Sequence, residues 1–365
     1  MLNTKISNKK KISQLFSTLV ILSVITTTLL SFLDYYNFFG ISRDRENYNL
    51  FFNFLTKNSI EDSLDTFTHE IGFQYLTSLL IGLGIPSDAL YPFEIGLSLL
   101  PKLLVLVIII CKCIDKKQQS MQGANFILAV SIYICKFFPL HELTQLRASL
   151  SCACLYVATL FLVSEDSIVI FKSRDAKFNK KSVKILTWII YILSISFHYS
   201  AIAAIMVIIT ATCVKSLRSA IITSIFVYLG SLLTTFGLLL SPIIKGIFLK
   251  ADTFSYEDLT SINLFSPQRI LDIILVLSII FIIDRKSSIQ LFSFTIFLYS
   301  LAVFYGTSAA PVYAHRLTEL LQSLGLMFLV ASANKILLIR LTPLIILNII
   351  LSLLVFVTQD YFSQF

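Results

Sequence analysis

The chain alternates long apolar runs with short polar turns from one end to the other, and a run of roughly 18 or more apolar residues can cross a hydrocarbon core as a helix. Such runs cover residues 15–33, 93–111, 124–140, 146–163, 219–240, 270–283, 289–304, 320–334 and 336–357. Residues 71–85 form a shorter, more polar stretch. Residues 185–214 make either one long pass or two half-passes, with a polar interruption at Phe197, His198, Tyr199 and Ser200. The pattern predicts an all-α, polytopic integral membrane protein, a single membrane domain over residues 1–365, with about 11 crossing helices and a re-entrant or interfacial helix at 71–85. Two long connections, at about 34–70 and 241–269, lie outside the apolar runs and carry acidic and aromatic residues.

Composition narrows the class. With 365 residues, 56% of them apolar and only 14% charged, and a mean hydropathy of +0.83, the chain is not a soluble globular protein. A net charge of +8 could suggest nucleic acid, but the 29 Lys and Arg are scattered in turns between apolar runs instead of forming a stripe. Their distribution sets orientation, because basic residues accumulate in short cytoplasmic loops. Lys5, Lys9, Lys10 and Lys11, with the turns at 112–117, 172–184, 215–218, 285–286 and 335–340, then lie inside, the N-terminus with them. This layout keeps 71–85 from crossing and folds 185–214 into a hairpin, the alternative being one long pass with every later loop inverted. A half-pass ending at Phe197 reaches only about 20 Å, which puts His198 at a helix break within the membrane zone. The first run reads as a retained pass, since no small-residue cleavage site follows it. Cys111 and Cys113, like Cys152 and Cys154, are two apart on predicted helices and face different directions, so the six cysteines suggest neither a disulfide framework nor a metal site.

An ionisable group in or beside an apolar run is costly and is a functional candidate by default. On this layout the candidates converge on the outer side. Gln145 and Arg147 open the pass at 146–163, where a guanidinium fork beside helix N-terminal amides suits a phosphate. Arg147 could instead pair with Glu142 or snorkel to the interface. His198, followed by Tyr199, offers a neutral imidazole able to act as base or donor near pH 7, or is a satisfied packing residue. His315 and Arg316 precede a late pass, and Arg316 either binds a second phosphate or pairs with Glu319 three residues on. Arg43, Asp44 and Tyr48 in the first long connection, with Glu70 and Gly72 at the start of 71–85, form a fourth group. Carboxylates among aromatic rings suit sugar hydroxyls and ring faces, although acidic loops are often only solvated. No Walker loop, G-x-S-x-G elbow or H-E-x-x-H motif is present, so nucleotide hydrolysis, esterase chemistry and zinc proteolysis find no support.

Taken in chain order, Arg43-Asp44 with Tyr48, Glu70-Ile71-Gly72-Phe73, Gln145-Leu146-Arg147-Ala148, Ser196-Phe197-His198-Tyr199-Ser200-Ala201 and His315-Arg316 resemble the EpsG/Wzy-type bacterial polysaccharide polymerases. The resemblance spans most of the chain; each element is short, and specificity comes from order, spacing and membrane context. Ala148 is a departure, since the family often has Gln there. The resemblance implies a GT-C-like glycosyltransferase of the bacterial cytoplasmic membrane. Such an enzyme moves a growing glycan from undecaprenyl diphosphate onto an incoming lipid-linked oligosaccharide repeat unit at the outer or periplasmic face. It implies no cofactor and no metal. The partners would be the lipid-linked oligosaccharide, the bilayer, and other assembly proteins such as a flippase or chain-length regulator. Outward arginines can take up the charge of a diphosphate leaving group, which is the role implied for Arg147, Arg316 and Arg43. His198, with Asp44 or Glu70 next, would take the proton of the acceptor hydroxyl. Gln145, Tyr48, Tyr199 and His315 would contact glycan. A ligase using the same donor and a transporter of lipid-linked sugar are the competing expectations.

Overall fold

A computed structural model describes residues 2–39, 43–113, 121–163, 180–240 and 263–358, and every regular element among them is helical. In chain order these are α1 (Leu2–Tyr35), α2 (Arg43–Leu55), α3 (Ile60–Thr66), α4 (Ile71–Gly82), α5 (Ser87–Cys113) and α6 (Gln122–Ile132). A π-helical turn (Tyr133–Phe137) joins α6 to α7 (Phe138–His141), and α8 (Leu146–Val163), α9 (Lys180–Phe197), α10 (Ala201–Thr212) and α11 (Leu217–Leu240) follow. The last four are α12 (Pro267–Ile282), α13 (Ser288–Gly306), α14 (Pro311–Ala331) and α15 (Lys335–Thr358). Among the described residues seven helices are long and apolar enough to cross a membrane: Ser13–Tyr35, Ser87–Lys112, Gln122–His141, Leu146–Val163, Leu217–Thr235, Ser288–Gly306 and Lys335–Val355.

Several expected boundaries move. The first long connection is not loop: α2 and α3 occupy much of it, and α3 opens with a reciprocal cap in which Ser59 and Asp62 each accept from the other's backbone N–H. The late pass expected from 320 begins at Pro311, whose fixed φ suits a first helical position. His315 and Arg316 therefore lie inside α14, not before it. Most of the connection at 241–269 and of the basic turn at 172–184 lies outside the described residues, as does the side chain of Arg43.

The 71–85 stretch forms α4, which at 12 residues reaches about 18 Å, short of a roughly 30 Å core. The 185–214 stretch is two helices, α9 and α10, parted at His198–Ser200. The path of α10 follows from its neighbours. Thr235 of α11 donates to the carbonyl of Gly306 at the end of α13 (3.3 Å), and Tyr299, lower on α13, hydrogen-bonds Thr223. α11 and α13 thus run in the same direction, and Leu217 lies at the end of the bundle away from Gly306. His198 sits at the Gly306 end, within reach of the Arg316 charge. α10 must therefore carry the chain back, so the stretch is a hairpin.

Apolar helices in a bilayer gain little by hiding from lipid, so close packing and internal polar contacts must hold them together. Both are present. A Cβ on Gly325 of α14 would stand 2.6 Å from the backbone nitrogen of Phe297 on α13, so these helices touch backbone to backbone. Two buried charge networks flank the π-helical turn. In the first, Lys102 of α5 uses all three ammonium donors, on Glu142 (2.7 Å), Ser149 (2.7 Å) and Tyr133 (2.8 Å). In the second, Lys136 donates to Asp272 of α12 (2.8 Å), which also accepts from Asn348 of α15 (3.1 Å) and Arg269 (3.4 Å). Tyr133 and Lys136 belong to the same π-helical turn, so this turn ties α5 and α8 on one side to α12 and α15 on the other.

Candidate active site

The starts of α2, α4, α8 and α14 and the break between α9 and α10 meet at one end of the bundle. Glu70, immediately before α4 and 6% exposed, is the hub. Its carboxylate does not cap its own helix. One oxygen accepts from Nδ1 of His198 (2.8 Å), and the other accepts from Nη1 of Arg147 on the first turn of α8. Nε of Arg147 reaches the hydroxyl of Tyr48 on α2 (3.4 Å), which is buried against the rings of Phe73, Tyr91 and His69. Asp44, one turn before Tyr48, lies within electrostatic reach of both Arg316 and Arg147. Six expected residues from five separate stretches of sequence, Asp44, Tyr48, Glu70, Arg147, His198 and Arg316, thus share one site.

Local packing explains the convergence. A Cβ on Gly72 would stand 2.2 Å from the Ser196 hydroxyl oxygen, so the first turn of α4 lies directly on the end of α9. Two residues from this contact on either chain are Glu70 and His198. Gln74 fixes the approach to α4 by donating to the carbonyl of His69 (2.7 Å) and accepting from Ser63. On the other flank, Ser194 donates to the carbonyl of Ser151 (2.9 Å) and holds α9 on α8, and so His198 beside Arg147. Gly72→Val is expected to cost about 1–3 kcal/mol by overpacking this contact. A lower melting temperature of the purified protein would register it, and an unchanged melt would mean that α4 and α9 do not meet at Gly72.

Burial alone would raise the Glu70 carboxyl, but the hydrogen bond from His198 and the Arg147 guanidinium outweigh it and hold the group at about 2. Burial lowers His198 below the usual imidazole value; Glu70 opposes this, and the charges of Arg147 and Arg316 reinforce it. At neutral pH the pair is therefore carboxylate and neutral imidazole. Nδ1–H donates to Glu70, and Nε2 is left with a free lone pair, having no partner among the described residues. Both shifts give the same sign of pH dependence. Glu70 contributes stability that is complete above its ordinary 4.5 and is lost as pH falls toward 2, while neutral His198 charges more readily once unfolded, below 6.5. Between pH 4.5 and 2 the wild type is expected to lose about 3 kcal/mol more than Glu70→Gln. Denaturant titrations of the two proteins across that range measure the difference, and parallel curves would contradict it.

The two short-range ion pairs weighed for these arginines are not formed among the described residues. Arg147 pairs with Glu70, since Glu142 is taken by Lys102. Among the described residues Arg316 has no carboxylate within ion-pair distance, and one buried oxygen of Glu319 has no hydrogen-bond partner, although the two charges feel each other. Among the described residues, Tyr199, Gln145 and His315 make no hydrogen bond or ion pair to the cluster. Tyr199 is 54% exposed, Gln145 makes no side-chain hydrogen bond among the described residues, and His315 sets its ring against Phe304. Residues that the sequence reading passed over include His69, whose ring stacks on Tyr48, and Lys102, Lys136 and Asp272, each a charge inside a predicted pass. The last three carried a legible signal, an ionisable residue in an apolar run. No protein-family model, curated protein or solved structure matches this chain.

Proposed function

We propose that the chain is a membrane-embedded glycosyltransferase that polymerises lipid-linked oligosaccharide repeat units. In this reading it is an EpsG/Wzy-type polymerase of GT-C-like architecture in a bacterial cytoplasmic membrane, with the cluster facing outward. The observation that carries the reading is the meeting of a carboxylate–imidazole pair with two arginines at one end of a bundle of membrane-length helices. The opposite end carries Lys112, Lys184, Lys215, Arg218, Arg285 and Lys335, and the positive-inside rule then favours an outward cluster.

The geometry supports the following chemistry. The acceptor hydroxyl gives its proton to Nε2 of His198 as its oxygen bonds to the anomeric carbon of the donor glycan. Glu70 steadies the imidazolium through Nδ1–H, as a carboxylate orients a catalytic histidine elsewhere. The bond from the anomeric carbon to the lipid diphosphate breaks, and negative charge grows on the diphosphate. Arg316 and the nitrogens of Arg147 not held by Glu70 are the cations for that charge. Because His198 is held below 6.5, the acid limb of the activity profile is expected below the ordinary imidazole range. An acid limb above 6.5 would remove His198 as the base.

Disruption of the gene, followed by a gel of the cell's surface glycan, tests the reading. Collapse of the ladder to a single repeat unit, restored by wild type but not by Arg147→Lys at equal membrane level, is expected, because a point charge replaces a planar fork. Full-length glycan left unattached would indicate a ligase, and an unchanged ladder would contradict polymerisation.

A further inference from the structure

The flank of α2 beside Tyr48 that carries Arg45 borders a second polar surface. Arg45, Asn49 and Asn53 follow at four-residue spacing and so share one face of the helix, while Tyr48, Phe51, Phe52 and Leu55 are buried. Opposite stand Tyr35 and Asn37 at the end of α1, and Ser87 with Asp88 at the start of α5. These groups line an open cavity of about 430 Å³, within the roughly 300–1,000 Å³ of small-molecule sites. α2 therefore contributes to both, Tyr48 to the Arg147 cluster and Arg45, Asn49 and Asn53 to this groove.

The lining selects a kind of ligand. Arg45 is committed to Asp34 (2.8 Å) and lies over the ring of Tyr91, so its charge is neutralised within the protein. Asp88 adds a carboxylate, 3.5 Å from the Tyr35 hydroxyl. An anionic ligand would thus meet a carboxylate and no unpaired cation among the described lining residues. The amides of Asn49 and Asn53 are exposed and hydrogen-bond to nothing among the described residues. Each can donate and accept at once, which matches a hydroxyl that does the same. At the rim the rings of Tyr35 and Tyr36 are 43% and 65% exposed and meet edge to face at 5.3 Å. Such rings offer an apolar face to the C–H side of a sugar and a polar tip to its hydroxyls. Amides, one carboxylate and aromatic faces without a free cation form a carbohydrate-binding set.

We propose that this groove binds an uncharged stretch of glycan. The inference stands on the groove's own chemistry and rests on the reading above only for the source of that glycan, the chain being extended. Purified full-length protein in lipid nanodiscs, applied to an array of uncharged and acidic oligosaccharides, tests it in three forms: wild type, Asn49→Ala/Asn53→Ala and Arg147→Ala. Alanine is the better helix former, so the double variant is expected to melt with wild type. Wild type and Arg147→Ala are expected to retain uncharged glycans, and the double variant to lose at least tenfold in apparent affinity. No binding by wild type, binding of acidic glycans only, or equal binding by the double variant would overturn the groove. Loss in Arg147→Ala alone would also overturn it, by moving the glycan to the cluster while leaving the polymerase reading intact. Groove binding by a protein whose disruption leaves the surface-glycan ladder unchanged would overturn the polymerase reading and not the groove.

Discussion

Glu70→Gln is expected to lower glycan transfer by on the order of 100-fold, at the lower edge of what general acid–base catalysis contributes. The substitution keeps the size of the side chain and an oxygen that accepts from His198, but removes the charge that would steady an imidazolium at Nδ1. It also leaves Arg147 without its carboxylate partner. The Arg147 side chain is 24% exposed, so the cost in stability should stay below the roughly 3–5 kcal/mol of breaking a fully buried pair. Glu70→Asp restores the charge on a shorter arm and should fall between wild type and Gln, because one carboxylate must span two partners. Turnover by purified protein at matched folded fraction separates these cases. Wild-type turnover in Glu70→Gln would reduce Glu70 to a packing role.

Asp272→Ala should have the largest effect on stability, about 3–5 kcal/mol, because it strands buried charge. Asp272 is fully buried and accepts from Lys136, Asn348 and Arg269 on three different elements. Removing it leaves a 5% exposed lysine and a 7% exposed arginine without their common carboxylate. Adding Lys136→Met should recover part of the loss, since an apolar side chain of similar volume removes one stranded charge. Melting temperatures of the two single variants and the double variant in the same detergent form the cycle. Strictly additive losses would mean that Lys136 and Asp272 do not act as a pair.

Polar residues in or beside apolar runs marked Arg147, His198 and Arg316, and carboxylates among aromatic rings in the first long connection marked Asp44, Tyr48 and Glu70, before their neighbours were known. The sequence also marked the break at His198, because Phe197-His198-Tyr199-Ser200 interrupts an unusually long apolar stretch. Partner choice was not legible. Glu142 and Glu319 are the nearest acidic residues in sequence to the two arginines, yet Glu142 is taken by Lys102 from forty residues upstream. Arg147 instead meets Glu70, because the Gly72–Ser196 contact brings α4 onto α9. Such pairings depend on how helices cross, which local periodicity does not encode. The start of α14 at Pro311 was missed for a related reason: its first turns carry His315, Arg316 and Glu319 above the apolar run. A hydropathy pattern registers a helix only where it is apolar.

The most direct measurement of the proposed activity is glycan transfer by the purified protein in liposomes supplied with an undecaprenyl-diphosphate-linked oligosaccharide repeat unit, comparing wild type with His198→Ala and Arg147→Ala. Wild type should build a ladder of lengthening glycan, and both variants, equally folded, should leave the single unit unextended. A ladder from either variant at the wild-type rate, or no extension by folded wild type, would contradict the account.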